Sequence, residues 1–332
     1  MFIASLSNDN TEIEQKLCFC TDNCAHLQEK RKVKIMSNHY KNLIMQAEKL
    51  YRHNRQGSFK TKERYFEAYK RFLHFVGNVY HLQKLQSISG KHLAAYIEYM
   101  QNKGYSASTI KTDLAAIRFW HDQIPNAKYV LPTNSEFLLE RRKFGGVDRT
   151  WSAGEFNKMI AQCWSAKHDD YVACITIARY AGLRLHEVLR IDTAIARKAL
   201  KDGFITIKGK GGKIREVPIN ESVRIVLERA LKTTPSGYKL FVPKDKQTHI
   251  VKAELQNFIA NKRRFVCDEG NRRNLTFHGL RHTFAAEQYQ KFIVQGYTET
   301  QAKLKVSKLL GHEREDVTRI YLASIRKKYD DG

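Results

Sequence analysis

The sequence predicts a mainly α chain with a small β-sheet (α+β), divided into two domains. Three observations carry this expectation. The 332 residues exceed one average domain about twofold. Apolar residues recur at three- and four-residue spacing through most of the chain, the period of helices with one buried face. Only "GFITIKGKGGKIREVPI" (203–219) reads otherwise, as two short β-rich runs around a Gly-Lys-Gly-Gly turn, which is a hairpin pattern.

Taken in order, residues 1–36 form a loose leader. Residues 1–35 carry five basic and five acidic side chains, and Met36 immediately precedes the first strongly periodic segment. Within the leader, "CFCTDNC" places Cys18, Cys20 and Cys24 shortly before His26. That spacing matches no paired CxxC zinc arrangement and is read as free thiols.

Residues 37–124 read as four helices separated by Ser, Gly and Asn punctuation. In "KERYFEAYKRFLHFV" (62–76), Tyr65, Tyr69, Phe72, Leu73 and Val76 fall on one face and form core, while Lys62, Arg64, Lys70 and Arg71 are available to phosphates. "SASTIKTDLAAIRFWHDQI" (106–124) opens on Ser106 or Ser108 as a cap and aligns Ile110, Leu114, Ile117 and Trp120 along one side. Pro125, Pro132, Gly145 and Gly146 then mark a linker over 125–150, interrupted by a candidate helix at "SEFLLERR" (135–142). From 151 to 332 the pattern is helical again apart from the hairpin.

Lysine and arginine number 58 against 34 aspartates and glutamates, a formal charge of +24, and all of that excess lies in 36–332. Such an excess answers a polyanion, with nucleic acid first. No apolar run approaches the roughly 18 residues of a spanning helix, so no membrane partner is expected. The unevenly placed cysteines and the lack of a basic-then-apolar leader point to a reduced, cytoplasmic setting. No G-x-x-x-x-G-K-[ST] or G-x-G-x-x-G pattern is completed, and no nucleotide cofactor is indicated.

Several side chains can do chemistry. In "ARYAGLRLHEVLR" Glu187 lies three residues after Arg184, which taken alone is an ordinary surface ion pair. "FHGLRHTFA" brings His278, Arg281 and His282 within five residues, pairing a planar, permanently charged fork with an imidazole. In "LLGHEREDVTRIYLA" (309–323) His312 precedes Tyr321 by nine residues.

The ordered set Arg184, Lys210 on the hairpin turn, His278 with Arg281, His312 and Tyr321 resembles the tyrosine recombinases, the phage-integrase family. The resemblance spans residues 38–332 through "AGLR", "GKGGK", "HGLRHTF", "LLGH" and "IYLA". It implies a helical SAM-like core-binding domain followed by a tyrosine-recombinase catalytic domain. It makes Arg184 and Arg281 the phosphate clamp, Lys210 the hairpin lysine, with Lys213 its rival, His278 and His312 the two histidine positions, and Tyr321 the nucleophile. A tyrosine hydroxyl with a pKa near 10 needs a proton acceptor or a stabilised phenolate to attack, and His278 is the expected acceptor.

The resemblance further implies a 3′-phosphotyrosyl intermediate, no cofactor and no metal, and a homotetramer on double-stranded DNA attachment sites of a mobile element. DNA-bending accessory proteins and a nucleoid-associated place in a bacterial cytoplasm go with it. Readings weighed beside it are an Xer-like resolvase of replicon dimers, a type IB topoisomerase-like enzyme and a non-cutting DNA-binding regulator.

Overall fold

Ser58 opens the helix around which the first half of the described chain is built, its Oγ accepting from the Thr61 amide at 3.3 Å. In this computed structural model the chain divides into two units, Met1–Lys143 and Phe144–Gly332. The structure describes residues 38–141, 147–209, 212, 214–268 and 274–311. The Cys18, Cys20 and Cys24 cluster, with the rest of the leader, lies outside the described residues.

The first unit holds α1 (Asn38–His53), α2 (Phe59–Val79), α3 (Gly90–Asn102) and α4 (Ala107–His121). Helix α2 is central and packs against the other three. Tyr69, Phe72, Leu73 and Val76 of its apolar face are fully buried, the last three each contributing about 1.5–3 kcal/mol of transfer energy relative to exposure. Tyr65 is half-buried and meets Phe119 edge-on. Of the two candidate caps of α4, Ser106 is the one used, accepting from the Thr109 amide at 3.2 Å, and Ile110, Leu114, Ile117 and Trp120 face inward.

Three of the four basic residues set aside for phosphates have partners within the fold. Arg71 donates to both oxygens of buried Asp113, at 2.8 and 2.9 Å. Lys62 donates to the Asn54 carbonyl at 2.6 Å, and Lys70 pairs with Glu67.

The candidate helix at 135–142 is not formed in its described part. A 3-10 turn covers Asn134–Glu136 only, closed by the Glu136 carboxylate accepting from the Thr133 amide at 2.7 Å. Beyond it Phe137 and Leu139 lean on the first core while Leu138 is fully exposed. That two-residue alternation suits an extended strap, because one helical face cannot take the first and third residues and reject the second. Arg118 pins the strap through the Pro132 carbonyl at 2.7 Å and the Asn134 side chain at 2.8 Å.

The second unit runs α5 (Ala153–Ser165), α6 (Asp169–Ala181), α7 (Leu185–Val188), α8 (Thr193–Asp202), β1 (Phe204–Lys208), β2 (Ile214–Pro218), α9 (Glu221–Thr233), α10 (Thr248–Val266), α11 (Phe277–Val294) and α12 (Glu299–Leu310). Helix α6 is buried on nearly every side, and α5, α7, α9 and α11 surround it. This is what an apolar run with few outward positions requires. The two strands pair antiparallel, with Ile205 opposite Val217 and Ile207 opposite Arg215. Cys163 and Cys174 are buried free thiols, and burial pushes the Cys163 thiol up to about 12.

Candidate active site

Helix α6 ends on Gly182, whose φ of 61° is left-handed. A Cβ there would lie 2.3 Å from Cδ1 of Phe284, so glycine is required both by conformation and by the approach of α11. The chain turns, buries Leu183, and presents Arg184 in extended conformation as the residue capping α7. Glu187, in the first turn of α7, reaches back so that one carboxylate oxygen accepts from the Arg184 amide at 2.8 Å and the other from Arg184 Nη1 at 3.0 Å.

This corrects the reading of Arg184 and Glu187 as a surface ion pair. Glu187 is 3% exposed, and it is shared. Arg215 on β2 donates to it through Nη2 at 2.7 Å and Nη1 at 3.1 Å, while Arg281 Nη1 stands 3.9 Å away. Burial by itself would raise the carboxyl pKa. The Arg215 hydrogen bonds, the Arg184 amide and the charges of Arg215 and Arg281 outweigh that and hold it at about 2. Three arginines around one carboxylate leave two positive charges in excess, suited to an anion with more than one negative oxygen.

Arg281 is completely buried in the second turn of α11. Its Nη1 donates to the Gly182 carbonyl at 2.6 Å and its Nη2 to the Leu310 carbonyl. One guanidinium therefore ties together the end of α6, α11 and the end of α12.

The remaining residues of "HGLRHTF" have separate duties. Gly279 leaves room for the incoming chain, since a Cβ would lie 2.4 Å from the Arg149 carbonyl oxygen. Thr283 Oγ1 accepts from the Trp151 amide at 2.8 Å, and Trp151 Nε1 donates to the Thr276 carbonyl at 3.0 Å. Leu280 and Phe284 are core. Buried His282 sets its ring edge-on to His278, with centroids 5.2 Å apart.

His278 stands at the rim with an exposed face, yet its pKa is lowered to about 4, first by desolvation of the ring and then by the charges of Arg281, Arg184 and Arg149. The three arginines act in the same sense as desolvation, each opposing a second positive charge on the ring. At neutral pH the ring is uncharged and able to accept a proton.

The structure thus brings Arg184 and Arg281 together at Glu187, with His278 near enough to feel the charges of both. Lys210, its rival Lys213, His312 and Tyr321 lie outside the described residues. Reasoning from sequence missed Arg215. Its signal was present in "IREVP": Val217 faces inward, so the two-residue period of a strand turns Arg215 inward as well and Ile214 outward, where it is 69% exposed. A charged residue at an inward strand position demands a buried partner.

Comparison with known proteins concerns the chain as a whole. The profile of the phage integrase family matches residues 151–328, and that of the phage integrase N-terminal SAM-like domain matches residues 44–130. Tyrosine recombinase XerC of Natranaerobius thermophilus is 22% identical over 277 residues, covering 79% of this chain and 87% of that protein. Two solved structures share the fold. The Tn1549 transposon integrase in complex with a circular intermediate DNA has a TM-score of 0.57 at 16% identity, covering 86% of this chain and 99% of that one. A lambda integrase tetramer bound to a Holliday junction has a TM-score of 0.58 at 16% identity, covering 84% and 75%. With the family profile spanning more than half of its length, the chain belongs to the phage integrase family, the tyrosine recombinases.

Proposed function

We propose that the protein is a site-specific DNA recombinase that cuts and rejoins strands through a covalent link to Tyr321, in the service of a mobile element. The observation that carries this reading is the sharing of buried Glu187 by Arg184, Arg215 and Arg281 beside an uncharged His278. Arg184 and Arg281 are the clamp for the nonbridging oxygens of the scissile phosphate, where charge develops as the nucleophile arrives. Tyr321 Oη forms a bond to phosphorus, its proton passes to His278, and the bond to the 5′ oxygen breaks as that oxygen takes a proton from Lys210. His312 completes the set at the phosphate. Reversal of these steps on a different strand rejoins the DNA, and since each step exchanges one phosphate ester for another, no energy donor is called for.

Integrase relatives solved with circular-intermediate DNA and as a tetramer on a Holliday junction support duplex DNA and a tetrameric assembly as the partners of this chain. DNA-bending accessory proteins belong to the same proposal. Relatives named XerC favour resolution of replicon dimers as the second reading. No helix among the described residues is long and apolar enough to cross a membrane, and a place at the bacterial nucleoid belongs to the same proposal.

The test is covalent trapping on a nicked duplex carrying the DNA that flanks the gene. The unaltered protein is expected to migrate as a protein–DNA adduct with the phosphate on Tyr321, and Tyr321→Phe to bind the same DNA with no adduct. An adduct that persists in Tyr321→Phe, with Tyr329 the next candidate, would overturn the assignment. Relaxation of supercoiled DNA without site preference would favour the topoisomerase reading.

The pH dependence follows from His278. With a folded pKa of about 4 against an ordinary 6.5, the ring stays neutral as pH falls from 7 to 5, so the proton-accepting step should hold level there and fail as pH passes through about 4. Since the unfolded ring protonates first, folding stability should also decline through the window from 6.5 to about 4. Single-turnover cleavage against pH checks this, and a midpoint near 6.5 would mean an ordinarily hydrated ring.

A further inference from the structure

We propose that Arg215, on the second strand of the hairpin, is a positioning residue for the phosphate clamp: it holds the Glu187 carboxylate and the last turn of α12 together, and so fixes Arg184 relative to the chain leading to His312. The proposal rests on the cleavage reading given above.

Three observations meet at this side chain. Its register opposite Ile207 turns it inward on β2, and its side chain is 9% exposed. Its guanidinium makes three hydrogen bonds to two elements: Nη2 and Nη1 to the two Glu187 oxygens at 2.7 and 3.1 Å, and Nε to the Leu309 carbonyl at 3.0 Å. Finally, α12 ends on Gly311 with a left-handed φ of 63°, and a Cβ there would lie 2.9 Å from Cδ of Arg215. The end of α12 is thus shaped to let this arginine pass.

Neutralising Glu187 does not by itself call for Arg215, because Arg184 Nη1 at 3.0 Å and Arg281 Nη1 at 3.9 Å already face the carboxylate. What Arg215 adds is orientation. By gripping both carboxylate oxygens from one side it leaves Oε2 directed at the Arg184 amide and Oε1 at Arg184 Nη1. Through Nε it ties this arrangement to Leu309, one residue before the carbonyl that Arg281 holds. A lysine keeps the charge but is a point donor, unable to span both carboxylate oxygens and a carbonyl in one plane. Arg215→Lys therefore separates orientation from charge.

The experiment uses the full chain and compares four proteins: unaltered, Arg215→Lys, Arg184→Ala and the double variant. Adduct formation is measured in single turnover, DNA affinity by titration, and backbone order by amide hydrogen exchange. Arg215→Lys is expected to slow adduct formation about 10²-fold, as misplacement of a catalytic group on the ångström scale does, with DNA affinity changed less than about twofold, since few phosphate contacts are touched. In the Arg184→Ala background the same change should slow the residual reaction by less than about threefold, because the residue it positions is gone. Exchange should quicken at residues 184–189 and 306–311.

An equal fold loss in both backgrounds would make Arg215 merely structural and overturn the proposal. So would unchanged exchange in those two segments, or unimpaired cleavage by Arg215→Lys. If the unaltered protein forms no adduct, the cleavage reading itself falls and takes this role with it. An active parent beside an equally active Arg215→Lys overturns Arg215 alone.

Discussion

Arg281→Ala is expected to lower adduct formation by about 10³-fold or more and to destabilise the second unit by about 3–5 kcal/mol. The catalytic loss follows from removing half of the proposed clamp, whose charge would act in a water-poor setting. The stability loss has a separate origin. The two Nη groups satisfy the carbonyls of Gly182 and Leu310, at the ends of α6 and α12, and each buried acceptor left unmet costs about 1–3 kcal/mol. Glu187 would also lose one of the charges that hold its pKa down. Arg281→Lys should recover part of the stability and little of the rate, because one ammonium cannot reach two carbonyls set apart for a fork. Urea unfolding followed by tryptophan fluorescence can separate the units, since Trp120 lies in the first and Trp151 and Trp164 in the second. Normal stability in Arg281→Ala would show that the two carbonyls find other donors.

Gly182→Ala is expected to be nearly as damaging, at about 3 kcal/mol or more, although it adds a single methyl group. The left-handed conformation at φ 61° costs an L-residue roughly 1–2 kcal/mol. The new Cβ would then lie within 2.9 Å of three ring carbons of Phe284, a side chain that is itself 4% exposed. Relief requires α6 and α11 to separate, which stretches the Arg281 bond to the Gly182 carbonyl. Pairing the change with Phe284→Leu should return the steric part and leave the conformational part, so the double variant should be more stable than Gly182→Ala alone. Equal instability of the two would place the strain elsewhere.

The first unit was largely legible before any coordinates. Tyr69, Phe72, Leu73 and Val76, or Ile110, Leu114, Ile117 and Trp120, announce their buried faces because helical spacing is a local property. The hairpin was legible for the same reason, its turn residues lying between two apolar runs. "SEFLLERR" misled because three adjacent apolar residues fit either period, and only the packing of Phe137 and Leu139 decides it. At the candidate site, Arg184, His278 and Arg281 could be nominated from motif order. What they touch could not, because Glu187 and Arg215 are 28 residues apart and Arg281 and Gly182 are 99 apart. Local spacing carries no information on such pairs. Arg71 shows the same limit, its charge being taken up by Asp113, 42 residues away.

The two cores share no side chain among the described residues: Leu43 through Leu131 in one, Trp151 through Leu310 in the other. Hereditary change is compartmentalised accordingly. The first unit can be reworked without disturbing the packing that keeps three arginines around one carboxylate. Substitutions that repack the first core therefore leave the contacts of Arg184, Arg215 and Arg281 with Glu187 as they are.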